Sequence, residues 1–224
     1  MNMDIFAALM RGLLVTAQIT IGAWAIAFGI GILLALLNEV GQKAVKAVVQ
    51  TIAHMLRAIP NLVLLYLIYF GLLSLLPFRI SPILAACIAL GIAESGTAME
   101  YLRGALATVS SKQRLAAASF GFSGWKTFRL IVMPQAVPVS IPPLLTMFLL
   151  LMKVATLASA VGAPEILYAA RENMIRTGEM FVLSSTVLVI YLCITLPLTL
   201  AVYAIERKIR GASKRRRAHY ASAA

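Results

Sequence analysis

The chain is 224 residues long, 61% hydrophobic and only 12% charged, with a mean hydropathy of +0.92. An ordinary soluble domain is about half apolar and about a quarter charged, so that class is excluded, and the length leaves room for one polytopic membrane domain. The formal net charge of +12 invites a nucleic-acid reading, but the basic residues flank apolar runs instead of forming one patch. The charge therefore serves topology and contact with anionic lipid, and no nucleic acid is expected as a partner.

A helix crosses the hydrocarbon core with about 20 apolar residues. Residues 1–11 read as a short external segment lacking the basic n-region and cleavage site of a removable signal peptide. Gly12–Asn38 carries no charge and reads as the first span, followed by Asn38–Gln50 as a short cytoplasmic connector. Ala58–Phe78 reads as the second span, and Leu73–Ile80, with Pro77 ahead of Arg79, as a tight outer turn. Ser81–Leu102 is the third span, although Glu94 and Glu100 interrupt it. Residues 106–134 form a polar cytoplasmic loop, and Ala136–Pro164, containing Lys153, is the fourth span. Glu165–Glu179 is polar and amphipathic and predicts a short external helix at the interface. Met180–Ile205 is the fifth span, and 207–224, with Lys214, Arg215, Arg216 and Arg217, is a basic cytoplasmic tail expected to fray. No internal repeat is evident.

The expected architecture is an all-α membrane protein with five transmembrane helices in a domain over 12–206. Five spans place the termini on opposite sides. Fifteen Lys and Arg residues fall on one set of alternate flanks: Lys43, Lys46, Arg57, Arg103, Lys112, Arg114, Lys126, Arg129 and seven in the tail. Only Arg11, Arg79, Arg171 and Arg176 fall on the other, with Lys153 inside a span. Basic residues concentrate on the cytoplasmic side, so the N-terminus is expected outside and the C-terminus inside.

Within the loop, Ser110 or Ser111 can cap a helix over Lys112–Phe120 by accepting from an orphan backbone N–H. Gly121 can end it in the left-handed conformation. Gly124-Trp125 begins a second segment, which Pro134 closes before the fourth span. Ala116, Ala117 and Gly121 predict a small-residue face that lets a partner's groove approach the backbone.

The stretch 115–134 reads Leu-Ala-Ala-Ala-Ser-Phe-Gly, nine residues, then Ile-Val-Met-Pro. It resembles the EAA coupling loop of ABC-importer permeases, matching at Ala116, Ala117, Gly121, Ile131 and Pro134. Leu115 stands where that family usually has Glu, and Met133 where it has Leu. The resemblance covers nearly the whole chain and is nearest the polar-amino-acid branch. Thr16 to Thr20, Arg57-Ala58-Ile59-Pro60, Tyr69-Phe70-Gly71, Glu100 with Arg103-Gly104, Pro134-Gln135-Ala136, Pro142-Pro143-Leu144 and Lys153 carry it. Pro138, Thr146 and Val154-Ala155 depart from the branch's usual polar residues.

The resemblance implies a type I ABC importer permease fold in the bacterial cytoplasmic (inner) membrane. It makes Leu115, Ala116, Ala117, Gly121, Trp125 and Pro134 the surface that docks on an ABC ATPase dimer. It also implies an external solute-binding protein, a second permease (expected to be non-identical, given the apolar departures) and a small polar solute. No cofactor is expected on this chain, because ATP and Mg belong to the partner ATPase and no Walker-type loop occurs here.

Charges inside a membrane normally face protein or water, so they are the physical candidates for a solute path. Glu94, Lys153, Thr156 and Asn61 form that candidate set. Lys153 is expected past mid-membrane on the external side and Glu94 about 10 Å from it in height, at 1.5 Å per residue. They read as having separate roles, or as structural charges satisfied at helix interfaces. Glu100 and Arg103, three apart, read as a structural pair. Pro138, Pro142 and Pro143 suggest either a hinge or an irregular helix start. Gly29 and Gly31 are expected at close helix contacts. His54 reads as interfacial, and Cys87 and Cys193 as packing residues. No catalytic set and no metal cluster is visible. Two rival readings remain, an ion-coupled secondary carrier and a non-transporting scaffold subunit. Neither explains residues 115–134, and carriers commonly show an internal repeat.

Overall fold

A computed structural model describes the backbone of residues 3–72, 75, 77 and 79–222, and side chains as far as residue 209. Among the described residues the secondary structure is helical, and the fold matches the all-α expectation. Four helical runs are long and apolar enough to cross a membrane, and a bent pair makes a fifth when counted as one span.

Helix α1 covers Met3–Val40. It begins nine residues before the span read from the sequence, because residues 3–11 continue the helix and Asp4 in the first turn complements its N-terminus. At 38 residues, α1 is about 57 Å long and overshoots a hydrocarbon core of about 30 Å.

The second span departs most from expectation. Helix α2, Lys43–Ala58, occupies much of what reads as a connector. Val49 and Ala53 are buried on one side, while Lys43 and Lys46 stay exposed. Helix α3, Asn61–Tyr66, follows and continues as a π-helical segment over Leu67–Leu72. The two halves meet at 96°. Pro60 is the cause: it has no N–H to extend α2, and its ring drives the preceding residue out of the helical region. Ile59 accordingly sits at φ −77, ψ 127. Residues 73, 74, 76 and 78 of the expected outer turn, Phe78 among them, lie outside the described residues.

Helix α4, Pro82–Ala107, is the hub, packing against α1, α2 and α3 and against a fourth-span helix. Ser81 caps it by accepting from Leu84 N at 3.2 Å, with Pro82 at the tolerant first position. The largest buried cluster joins Ile19, Ala23 and Ala27 of α1 to Ala86, Leu90 and Ala93 of α4. Small residues set this closeness, since a Cβ on Gly31 would lie 2.5 Å from Ala98 Cβ. Gly29 has nothing within 4 Å and does not share that role.

The loop contributes α5, Ser111–Ser119, and α6, Gly124–Thr127. Pro134 does not close the second segment. A π-helical turn over Phe128–Val132 leads into α7, Met133–Val154, and a 3₁₀ segment over Ala155–Val161 completes one helical run from residue 124. Pro138, Pro142 and Pro143 lie inside α7 without ending it. Side-chain donors support the interrupted ladder: Trp24 Nε1 reaches Leu144 O at 3.1 Å, and the Thr146 hydroxyl reaches Pro142 O at 3.0 Å.

Helix α8, Ile166–Thr177, packs on α1 and ends at left-handed Gly178. Helix α9, Met180–Ser222, runs unbroken through the tail that composition suggests should fray. Its large apolar residues Leu188, Leu192, Leu196 and Leu200 stay exposed, as befits a lipid-facing span.

Candidate functional site

The loop is built by local chemistry. Ser110 caps α5, its hydroxyl accepting from Gln113 N at 3.4 Å, and Gly121 takes φ +74 beyond the helix end. That conformation brings Phe122 N to Ala117 O at 3.0 Å and Gly121 N to Ala118 O at 2.9 Å, closing carbonyls the helix leaves open. Ser123 then caps α6. Leu115, Ala116, Gly121, Trp125 and Pro134 are exposed, whereas Ala117 is buried and does not share a small-residue face with Ala116. The exposed features are large and apolar, with Leu115 67%, Phe120 82% and Trp125 67% exposed. Trp125 stacks on Phe128, which packs with Leu106, Val109 and Val132 and so anchors α6 to the end of α4.

Arg114 ties α5 to the membrane body. One guanidinium nitrogen pairs with Glu39 Oε1 near the end of α1, and the other donates to Leu106 O at 3.2 Å. Among the described residues, these are the polar contacts from α5 to the spans. Sequence reading missed them, because no spacing rule connects positions 39 and 114.

The four path candidates fall into two groups. Asn61 Nδ2 donates to Glu94 Oε1 at 3.2 Å, and both line a cavity of about 390 Å³ at the α2–α3 break. Arg57 and Thr97 also line it, so Arg57 is no cytoplasmic flank charge. Glu94 is the thirteenth residue of α4, about halfway along the helix and higher than the sequence suggests. Lys153 is exposed near the end of α7, and the Thr156 hydroxyl donates to its carbonyl at 2.8 Å. No ion pair within 4.0 Å joins Glu94 to Lys153 among the described residues. Glu100 and Arg103 pair at 2.7 Å on the surface of α4. His54 is exposed on α2, Cys87 is buried against α1, and Cys193 is exposed on α9.

A second polar centre, also unanticipated, surrounds Glu165. Its carboxylate is fully buried and caps α8, accepting from Leu167 N at 3.0 Å and Tyr168 N at 2.8 Å. Thr16 of α1 donates to it at 3.5 Å and accepts from Ile166 N at 3.2 Å. Burial raises the Glu165 carboxyl to about 6, opposed by those hydrogen bonds. Gly12 makes the contact possible, since a Cβ there would lie 2.8 Å from Ile166 Cα. The missed signal was local: Gly-Ala-Pro-Glu before an amphipathic run is a helix-start pattern.

Comparison with known proteins fits this geometry. The family described as binding-protein-dependent transport system inner membrane component matches residues 27–211. The probable glutamine ABC transporter permease protein GlnM of Bacillus subtilis (strain 168) is 29% identical over 92% of this chain and 95% of its own length. The octopine transport system permease protein OccQ of Rhizobium meliloti is 27% identical over 84% of each. A solved chain of an amino acid ABC transporter with histidines superposes with a TM-score of 0.82 at 27% identity, covering 93% of this chain and 100% of that one. The match extends over most of the described spans and includes the loop. The chain belongs to the binding-protein-dependent transport system inner membrane component family.

Proposed function

We propose that this chain is one permease half of an ATP-driven importer that moves a polar amino acid or a related small polar solute, delivered by an external binding protein, across a bacterial inner membrane. The observation that carries the reading is the capped helix α5 held at the ends of α1 and α4, with Leu115, Phe120 and Trp125 exposed beside it. Exposed apolar side chains on a polar loop need a partner, and an ATPase groove supplies one. In this family ATP hydrolysis lies in a separate subunit. ATP and Mg bind there, and this chain takes no cofactor of its own. The ATPase dimer closes on ATP, moves α5, and tilts α1 and α4, so that the cavity opens alternately to each side.

The relatives' named solutes, glutamine and octopine, support the amino-acid class. Leu115, Pro138 and Val154-Ala155 are apolar where the resembled pattern is polar. A second, non-identical permease retaining those polar groups completes the core. A complex of two copies of this chain, with no other permease and full transport rate, overturns that pairing.

Gly121→Trp tests the docking reading. Any L-residue at φ +74 is strained, and the ring fills open space beside α5. ATP-dependent uptake falls at least about tenfold while membrane insertion persists, because each ~1.4 kcal/mol of lost docking is a factor of ten. Unchanged uptake and ATP hydrolysis in this variant refute docking at α5.

A further inference from the structure

We propose that the cavity at the α2–α3 break is a head-group site for a zwitterionic solute, in which Glu94 with Asn61 takes the ammonium and Arg57 takes the carboxylate. The proposal rests on the importer reading and names the chemistry of its solute path.

Two opposite charges line this cavity without touching. Arg57 is held against α4, because Gly96 leaves its stem room: a Cβ there would lie 3.2 Å from Arg57 Cγ and 2.5 Å from Ala53 O. Glu94 is two residues away on the same helix. Yet no guanidinium nitrogen comes within 4.0 Å of its carboxylate, for the ion pairs among the described residues are Glu100–Arg103 and Glu39–Arg114. Glu94 Oε1 accepts from Asn61 alone, and Oε2 has no partner among the described residues. An ionised carboxylate can accept about four hydrogen bonds, so most of its capacity faces the cavity.

A charge halfway along a spanning helix is costly unless something compensates it. Water can do so between cycles. A solute does so better when it carries a cation for Glu94 and an anion for Arg57, since charge-assisted bonds are the strong ones. The lining carries one charge of each sign, so a net-neutral zwitterion leaves neither unmatched. A simple acid leaves Glu94 bare, and a simple amine leaves Arg57 bare. The volume of about 390 Å³ falls in the range of small-molecule sites. The Thr97 hydroxyl, three residues from Glu94 on the same face, adds a neutral donor and acceptor.

The test uses the complex of this chain with its partner permease and ATPase in nanodiscs, free of nucleotide and binding protein. Radiolabelled L-glutamine, L-histidine and octopine are titrated in turn. At least one binds saturably, and Glu94→Gln and Arg57→Gln each weaken that binding about tenfold or more. On the unsubstituted complex, the amine-free analogue and the carboxyl-amidated analogue of that solute fail to compete, an arm that decides the question even where a variant does not assemble. No saturable binding across the three probes, unchanged binding in either variant, or equal competition by either analogue overturns the site. ATP-dependent uptake is scored separately: its persistence without head-group binding removes this site and leaves the importer reading standing.

Discussion

Glu165 shows how one residue joins two helices. Its carboxylate closes the first turn of α8 and meets Thr16 of α1, with no cation within 4.0 Å among the described residues. The nearby Tyr191 hydroxyl of α9 is buried without a hydrogen-bond partner among the described residues. Burial raises the carboxyl from 4.5 to about 6, so between those values the folded state binds more protons than the unfolded chain. Stability therefore falls as pH rises through that window, and the full cost, of order 2 kcal/mol, is present above about pH 6. Glu165→Gln keeps an acceptor for the cap and removes the titration. Thermal unfolding of the solubilised protein from pH 4.5 to 7 is expected to show a flatter profile for this variant than for the parent. A slope equal to the parent's places the titration elsewhere. The sequence concealed this centre, because Glu165 reads as the first polar residue of a solvated segment and its burial depends on Gly12, far away in the chain.

At the scale of elements, α5 depends on Arg114. A half-exposed ion pair contributes about 1 kcal/mol or less to folding, so losing it leaves the fold intact. It costs α5 its polar ties to α1 and α4, and those ties carry motion from the loop to the spans. Arg114→Glu is expected to lower the solute moved per ATP severalfold, with assembly retained. Glu39→Arg combined with Arg114→Glu restores the pair and recovers much of that ratio. A double variant no better than the single one shows that the pair does not transmit coupling. The caps at Ser110 and Gly121 were legible in the sequence, because a cap is decided by residues within one turn. The α2–α3 bend was half legible. Pro60 is the ordinary signal for a break, but the apolar run from Ala58 onward reads as one straight span. The amphipathic pattern of α2, with Val49 and Ala53 against Lys43 and Lys46, is what separates the two halves.

Across the whole molecule, the spans follow from hydropathy while their lengths do not. Helix α1 starts early and α9 runs to Ser222, because a helix continues past the bilayer wherever no breaker stops it. The orientation of the termini rests on the flanking charges alone, which remain strongly one-sided with Arg57 moved to the cavity. In a Cys193→Ser background, Lys43→Cys and Ser213→Cys are expected to label only from the cytoplasm and Glu172→Cys only from outside. Removing Cys193 is necessary because it is exposed on α9, whereas Cys87 is buried. External labelling at Ser213→Cys reverses the topology. The central claim, that this chain is the moving membrane half of an ATP-driven importer, is tested most directly in proteoliposomes. These contain this chain with its partner permease, ATPase and binding protein, and uptake of radiolabelled glutamine, histidine and octopine is followed. The account predicts uptake of at least one that requires both ATP and the binding protein and disappears when this chain is omitted. Uptake driven by an ion gradient without ATP, or ATP-dependent uptake indifferent to this chain, contradicts it.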